Sequence, residues 1–342
     1  MKKSRNAAID IIRICAATLI VLHHYQQGTG IGFHCISFYG GKFNFAYVVE
    51  LFFVISGLLA YKGAAGLPSL REFWGGKVRR IIPLLAISVA AEAILTYILL
   101  FMTGGGEYPF GLLDILVNAL GADWGIFQTK IINQPTWYIS VLLICYLEMY
   151  IVVRLSERIK VNVNYFYLFM ILIGVAANTY GWSGFLINTE IARGMVSFFT
   201  GTLLAQYLEQ IPKCNKEWAL ILLPVSFLLL LKYRYKFVES GTFVFYTLFI
   251  WVPVVILAIR NIPQRFFGAE LINVLGRCSY GVYLWNEPLA IVRNIFSDKT
   301  GVNLQTGRAM AGFTVCNWIV GICSYFLIER SISRMFKRKE CK

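Results

Sequence analysis

The sequence predicts an all-α integral membrane protein, a polytopic bundle of about ten transmembrane helices with both termini cytoplasmic. Three observations predict it. Of the 342 residues, 58% are hydrophobic and only 15% charged, with a mean hydropathy of +0.63, a balance foreign to soluble domains. Apolar runs of helical spanning length recur along the chain. Lys and Arg gather at the ends of these runs in alternate segments, the pattern that sets orientation in a membrane.

Hydropathy places the spans at 7–27, 45–62, 81–102, 136–154, 164–180, 190–208, 217–232, 241–260, 271–297 and 307–328. With the N-terminus inside, the inner segments hold 22 of the 32 Lys and Arg. The outer group Lys232, Arg234 and Lys236 is an exception. The start Met1-Lys-Lys-Ser-Arg and the apolar run after it resemble a signal peptide. The run contains Arg13 and ends in His-His-Tyr without a small-residue cleavage site, so it reads as a retained first helix. Two segments are not simple spans. Residues 103–135 open on Thr-Gly-Gly-Gly and contain an amphipathic piece, Leu112 to Phe127, suited to the outer surface or to re-entry beside the bundle. The 271–297 span is long and holds Gly276, Gly281 and Pro288, which predict a kink or break. A single domain over 1–342 is expected: a helical bundle to about 330, a basic cytoplasmic tail over 331–342, and no soluble extracytoplasmic domain. No internal repeat suggests inverted halves.

The net charge of +14 does not indicate nucleic acid, because the cations flank apolar runs, where they suit anionic lipid. The eight cysteines form no even-spaced framework and no Cys-x-x-Cys, which predicts thiols and neither disulfides nor zinc. Three histidines, 23, 24 and 34, do not make a His-rich metal site.

The first run carries what a membrane helix avoids: Asp10, Arg13, His23 and His24 among Ile, Leu, Val and Ala. Ionisable groups at that depth face a protein interior or a wet cavity. At about 100° per residue, Arg13 and His24 fall roughly 20° apart around the axis, with Asp10 within about 60° of both and His23 pointing elsewhere. Arg13 and His24 are about 16 Å apart along the axis, so one polar stripe joins the two membrane surfaces. The second span, Glu50-Leu-Phe-Phe-Val-Ile-Ser-Gly57, runs inward and puts Glu50 at the depth of His24, where a carboxylate orients an imidazole for general base chemistry. Ser56-Gly57 suits close helix packing. An inner loop, Arg71 to Pro83, presents Lys77, Arg79 and Arg80, cations fit either for phosphate or for a positive-inside anchor. Glu92, Glu148 and Arg293 are explained by pairing between helices. Arg193 starts its span at His24 depth and is a candidate for acceptor binding.

Five stretches occur in order: Arg13-x10-His24, Glu50-Leu-Phe-Phe-Val-Ile-Ser-Gly, Lys77-x-x-Arg80-Ile-Ile-Pro83, Cys278-Ser-Tyr-Gly-Val-Tyr-Leu-Trp285 and Phe-Leu-Ile-Glu329-Arg330. Together they resemble the bacterial acyltransferase 3 family of integral membrane O-acyltransferases over essentially the whole chain. Members acylate sugars of lipopolysaccharide, exopolysaccharide, peptidoglycan, Nod factors and some antibiotics. The resemblance implies a multi-pass protein of the bacterial cytoplasmic membrane and an acyl donor, usually acetyl-CoA, approached from the cytoplasm as co-substrate, with no tightly bound cofactor and no metal. It implies that His24 is the essential group of the Arg-x10-His pair and that Lys77, Arg79 and Arg80 form the basic motif proposed to hold CoA phosphates.

Two departures stand out. Lys77 occupies a position where Arg is common, which keeps charge and loses bidentate geometry. Where the family often ends its ninth-span motif Tyr-Leu-x-His, this chain has Tyr283-Leu-Trp285-Asn286-Glu287-Pro288. An amide takes up no proton as imidazole does, so Asn286 and Glu287 are read as supporting residues. On this reading the pantetheine arm runs along the Arg13 stripe to His24, which either takes a proton from a sugar hydroxyl or briefly carries the acyl group. Trp137, Tyr283 and Trp285 are candidates for the carbohydrate acceptor, which is expected to be an envelope or exported sugar, possibly lipid-linked. The competing reading is a transporter or flippase for a lipid-linked sugar, which needs neither acyl-CoA nor His24.

Overall fold

In the computed structural model, residues 7–32, 38–39, 48–64, 67–127, 129–207 and 269–332 are described. Their regular structure is helical apart from one isolated bridge between Gly184 and Ile187. The helices are α1 (Ala7–Thr29), α2 (Val48–Ala64), α3 (Leu70–Thr103), α4 (Leu112–Ala119), α5 (Trp137–Ile159), α6 (Val163–Tyr180), α7 (Thr189–Tyr207), α8 (Ala269–Leu284), α9 (Asn286–Thr300) and α10 (Gly307–Ser324). A 3₁₀ turn, Gln134–Thr136, leads into α5, and a π-helical turn, Tyr325–Glu329, follows α10. Helices thus occupy the expected spans, except 217–232 and 241–260, which lie outside the described residues. So do the outer cations Lys232 to Lys236, His34, three of the cysteines and nearly all of the basic tail. Four helical stretches are long and apolar enough to cross a membrane: Leu70–Thr103, Gln134–Ile159, Val163–Tyr180 and Gly307–Ile332.

One expectation is corrected. The basic stretch from Arg71 to Pro83 is not a loop but the first turns of α3. Its start is fixed by a capping box: the Glu72 N–H donates to Ser69 Oγ at 3.4 Å, and the Ser69 N–H donates to Glu72 Oε2 at 3.2 Å. Pro83 lies within this helix.

The break expected in 271–297 is present, at Trp285 between α8 and α9. Pro288 has no N–H to give the Leu284 carbonyl four residues back. Asn133 Nδ2 donates to that carbonyl instead, at 3.1 Å, and the Tyr283 hydroxyl donates to the Pro135 carbonyl. The segment before α5 therefore holds the broken end of α8.

The chain forms two compact units. The first comprises 1–16, 44–67 and 144–276. Within it α2 crosses α7 with backbones in contact. A Cβ on Gly57 would meet the Phe198 carbonyl oxygen, and one on Gly201 the Val54 carbonyl oxygen, so Gly57 does provide the close packing its sequence suggests. Phe198 and Phe199 are fully buried beside Tyr146 and Tyr167. The second unit comprises 17–43, 68–143 and 277–342. Here α3 packs on α4 and α9. The Tyr280 hydroxyl donates to the Ile81 carbonyl at 2.9 Å, Tyr25 to the Leu304 carbonyl at 2.8 Å, and Trp318 Nε1 to Thr18 Oγ1 at 3.1 Å.

The amphipathic piece is shorter than the sequence suggests. Helix α4 ends at Ala119 and is continued by turns. Asp114 accepts the Gly111 and Lys130 N–H groups at 2.8 and 3.0 Å, and buried Asn118 bridges to the Lys130 carbonyl and the Ile132 N–H. Leu112, Leu113, Leu116 and Leu120 stay exposed.

Candidate functional site

The expected site residues divide between the two units. In the first, Asp10 is buried against α8, where Gly276 leaves no space for a Cβ beside its carboxyl. Arg13 is half-buried on the same turns of α1. Glu50, expected to orient His24, is fully buried and accepts its described hydrogen bonds from Arg193. Arg193 Nε and Nη2 both donate to Glu50 Oε1, at 2.8 and 2.5 Å, while Glu50 Oε2 has no hydrogen-bond partner among the described residues. Interhelical pairing thus accounts for Arg193. Glu148 in this unit, and Glu92 and Arg293 in the other, each keep one buried polar atom without a hydrogen-bond partner among the described residues.

In the second unit His24 sits near the C-terminal end of α1. Its Nδ1 lies 3.1 Å from Gln27 Oε1, one helical turn on. With Gln27 Oε1 as the acceptor, Nδ1 is the donor and Nε2 is left to accept a proton. The other near neighbour of Nδ1 is Glu287 Oε1 on α9, at 3.8 Å. His23 is turned away, as its position on the helix predicts, and its Nδ1 donates to the Phe38 carbonyl at 2.7 Å. The two rings meet edge to face, 5.3 Å apart.

Asn286 is buried next to Glu287. Its Oδ1 accepts from Asn317 Nδ2 of α10 at 3.3 Å, and the remaining atoms of the two amides, Asn286 Nδ2 and Asn317 Oδ1, are buried without hydrogen-bond partners among the described residues. Tyr283 is buried edge-on to Tyr138 with its hydroxyl committed to Pro135. Trp137 and Trp285 are half-exposed. The cations Lys77 and Arg79 lie half-buried on the first turns of α3 and Arg80 is exposed. Lys77 Nζ sits 5.5 Å from the Phe73 ring centre, and Arg79 Nε donates to the Gly75 carbonyl at 3.0 Å.

Sequence reasoning missed Gln27 and Asn317. Gln27 carried a signal, being three residues after His24 and so on the same face of a helix. Asn317 is a lone amide in an apolar span, where nothing in the sequence says which helix it meets.

Residues 6–328 match the acyltransferase 3 family, described as an acyltransferase domain. The chain belongs to the acyltransferase 3 family. No curated protein and no solved structure matches it. Membership makes the chain a membrane acyltransferase, and the matched region contains Asp10, Arg13, His24, Glu50, Lys77, Arg79, Arg80, Arg193 and Tyr283 to Glu287. An acyltransferase needs a group that accepts the proton of the attacking hydroxyl or bears the acyl group in transit. Within the described part of the second unit, His24 supplies an imidazole with one nitrogen occupied and one open.

Proposed function

We propose that this acyltransferase moves an acyl group, acetyl in the first instance, from cytoplasmic acyl-CoA to a hydroxyl of a cell-envelope or exported carbohydrate, and that it does so as a multi-pass protein of the bacterial cytoplasmic membrane. The single observation that carries the reading is the placement of His24, with Nδ1 3.1 Å from Gln27 Oε1. With Nδ1–H given to Gln27, Nε2 is the nitrogen that takes a proton from the acceptor hydroxyl or attacks the thioester.

Lys77, Arg79 and Arg80 form the binding site for the CoA phosphates. Their place on the first turns of a capped helix supports this role, since a helix fixes their spacing where a loop would not. Arg13, on the same helix as His24, serves the donor. Trp137, Trp285, Tyr283 and Asn286 serve the acceptor, and Arg193 at the start of α7 is a separate candidate for acceptor binding. Tyr283 does so by shaping the wall, because its hydroxyl is already used. Asp10 and Glu50 act through the arginines and packing around them.

The experiment is acyl transfer in membranes with labelled acetyl-CoA, followed by mass analysis of envelope glycans, for the wild type, His24→Ala and Arg13→Ala. A labelled ester formed by the wild type and reduced about 100-fold or more by His24→Ala supports the reading. An ester formed equally by His24→Ala removes His24 from the chemistry. A wild type that labels nothing while glycan export depends on it replaces acyl transfer by transport.

A further inference from the structure

The environment of His24 contains a carboxylate that the proposed reaction has not yet used. Glu287 Oε1 lies 3.8 Å from His24 Nδ1, with the two side chains 29% and 21% exposed. Each element packed around this pair adds a group. From α3 comes Glu92, buried and within Coulombic range of Glu287, with its Oε2 unpartnered among the described residues. From α9 itself comes Arg293, also within Coulombic range of Glu287. Its guanidinium lies 4.9 Å from the Tyr25 ring centre and 5.2 Å from that of Phe313, and donates to Asn294 Oδ1. From α1 come His23, tied to the Phe38 carbonyl, and Gln27, which accepts the Nδ1–H.

These groups are not equivalent. Two carboxyls in a water-poor site do not both ionise readily, since like charges there repel strongly. Glu92 has no cation beside it among the described groups named here, whereas Glu287 has Arg293 on one side and a protonatable imidazole on the other. Of the two carboxyls, Glu287 is the one placed to face a charge on His24.

We propose that Glu287 is the positioning residue of His24: Gln27 takes the Nδ1–H, and the Glu287 carboxylate, 3.8 Å from Nδ1, steers and balances the imidazolium that forms when His24 takes a proton. The inference rests on the acyl-transfer reading and deepens it. It also gives a meaning to the departure at position 286. The amide of Asn286 is engaged with Asn317 and takes up no proton, and the next residue in the chain supplies the charge instead. As the acceptor oxygen bonds to the acyl carbon, its proton passes to His24 Nε2. The carbon–sulfur bond breaks, and Nε2 returns the proton to the departing CoA thiolate. Glu287 remains ionised throughout and neither gains nor loses a proton.

The test uses the full-length enzyme in detergent or membranes, with wild type, Glu287→Gln, Glu287→Asp, His24→Ala and the His24→Ala/Glu287→Gln double variant. Glu287→Gln is expected to lower kcat about 10- to 100-fold, the scale of loss when a group orienting an imidazole is removed, with KM for acetyl-CoA unchanged. Glu287→Asp restores a substantial part of kcat, and Glu287→Gln costs nothing further in the His24→Ala background. A Glu287→Gln enzyme with wild-type kcat, or one altered in KM alone, overturns the proposal, as does equal loss in the Asp and Gln variants. Thermal melting of the same set separates failure of this pairing from failure of the acyl-transfer reading. Tm shifts of His24→Ala and Glu287→Gln that do not add support the pairing even if no acyl acceptor is found, and strictly additive shifts overturn it.

Discussion

Arg193 gives two N–H groups to a single oxygen of fully buried Glu50, whose other oxygen has no hydrogen-bond partner among the described residues. The pair joins α2 to α7 at the crossing where Gly57 and Gly201 let the backbones touch. Removing Arg193 leaves the Glu50 carboxylate buried without its cation, and removing Glu50 takes away the carboxylate that Arg193 pairs with. Arg193→Ala or Glu50→Ala should each destabilise the protein by about 3–5 kcal/mol, whereas an apolar pair such as Arg193→Met with Glu50→Leu should recover most of the loss. Thermal melting in detergent checks this, and a double variant as unstable as the single ones would deny the ion pair its isolation from solvent.

The glycine crossing makes its own prediction. Any side chain at Gly57 is directed into the Phe198 carbonyl, which is backbone and does not swing aside. Gly57→Ala should cost at least the 1–3 kcal/mol, approximately, of an overpacked core. Gly312, where nothing stands within reach of an added Cβ, is the control, and Gly312→Ala should melt like the wild type.

Asn133 replaces a helix hydrogen bond that Pro288 removes. Its side chain is fully buried and its Nδ2 serves the Leu284 carbonyl. Asn133→Leu leaves that carbonyl unpaired, at a cost of about 1–3 kcal/mol. The same substitution combined with Pro288→Ala, which restores the N–H, should be milder than Asn133→Leu alone. Melting temperatures of the two variants decide it.

Asp114 should set part of the acid sensitivity. The Gly111 and Lys130 N–H groups bonded to it hold its carboxyl below the usual carboxylate range. A group depressed on folding adds stability above its unfolded value, about 4, and that stability is lost as pH falls through the lower folded value. Wild type should therefore melt higher than Asp114→Asn at neutral pH, with the gap closing below about pH 4. A gap that is constant with pH would show that the carboxylate charge is not what orders this turn.

How far these features were legible in the sequence depends on how local they are. Hydropathy found the helices, and Gly276, Gly281 and Pro288 announced the break at Trp285, because both signals act within a few residues. The Ser69-x-x-Glu72 box was equally local, yet the dense Arg, Lys and Gly after it read as a loop, and the helix start was missed by eleven residues. Depth is readable from the sequence and neighbours are not. Glu50 and His24 were matched because each stands at the expected outer end of its span, while the partner Glu50 holds, Arg193, lies 143 residues away. Glu287 was noticed for the opposite reason: it stands where a motif fails.

Helix α3 has 34 residues, and at 1.5 Å per residue it is about 50 Å long, against a hydrocarbon layer of about 30 Å. A helix of that length has turns to spare beyond the hydrocarbon layer. On the proposed reading, the capped turns that carry Lys77, Arg79 and Arg80 are the spare ones, and the donor would meet them on a scaffold already formed.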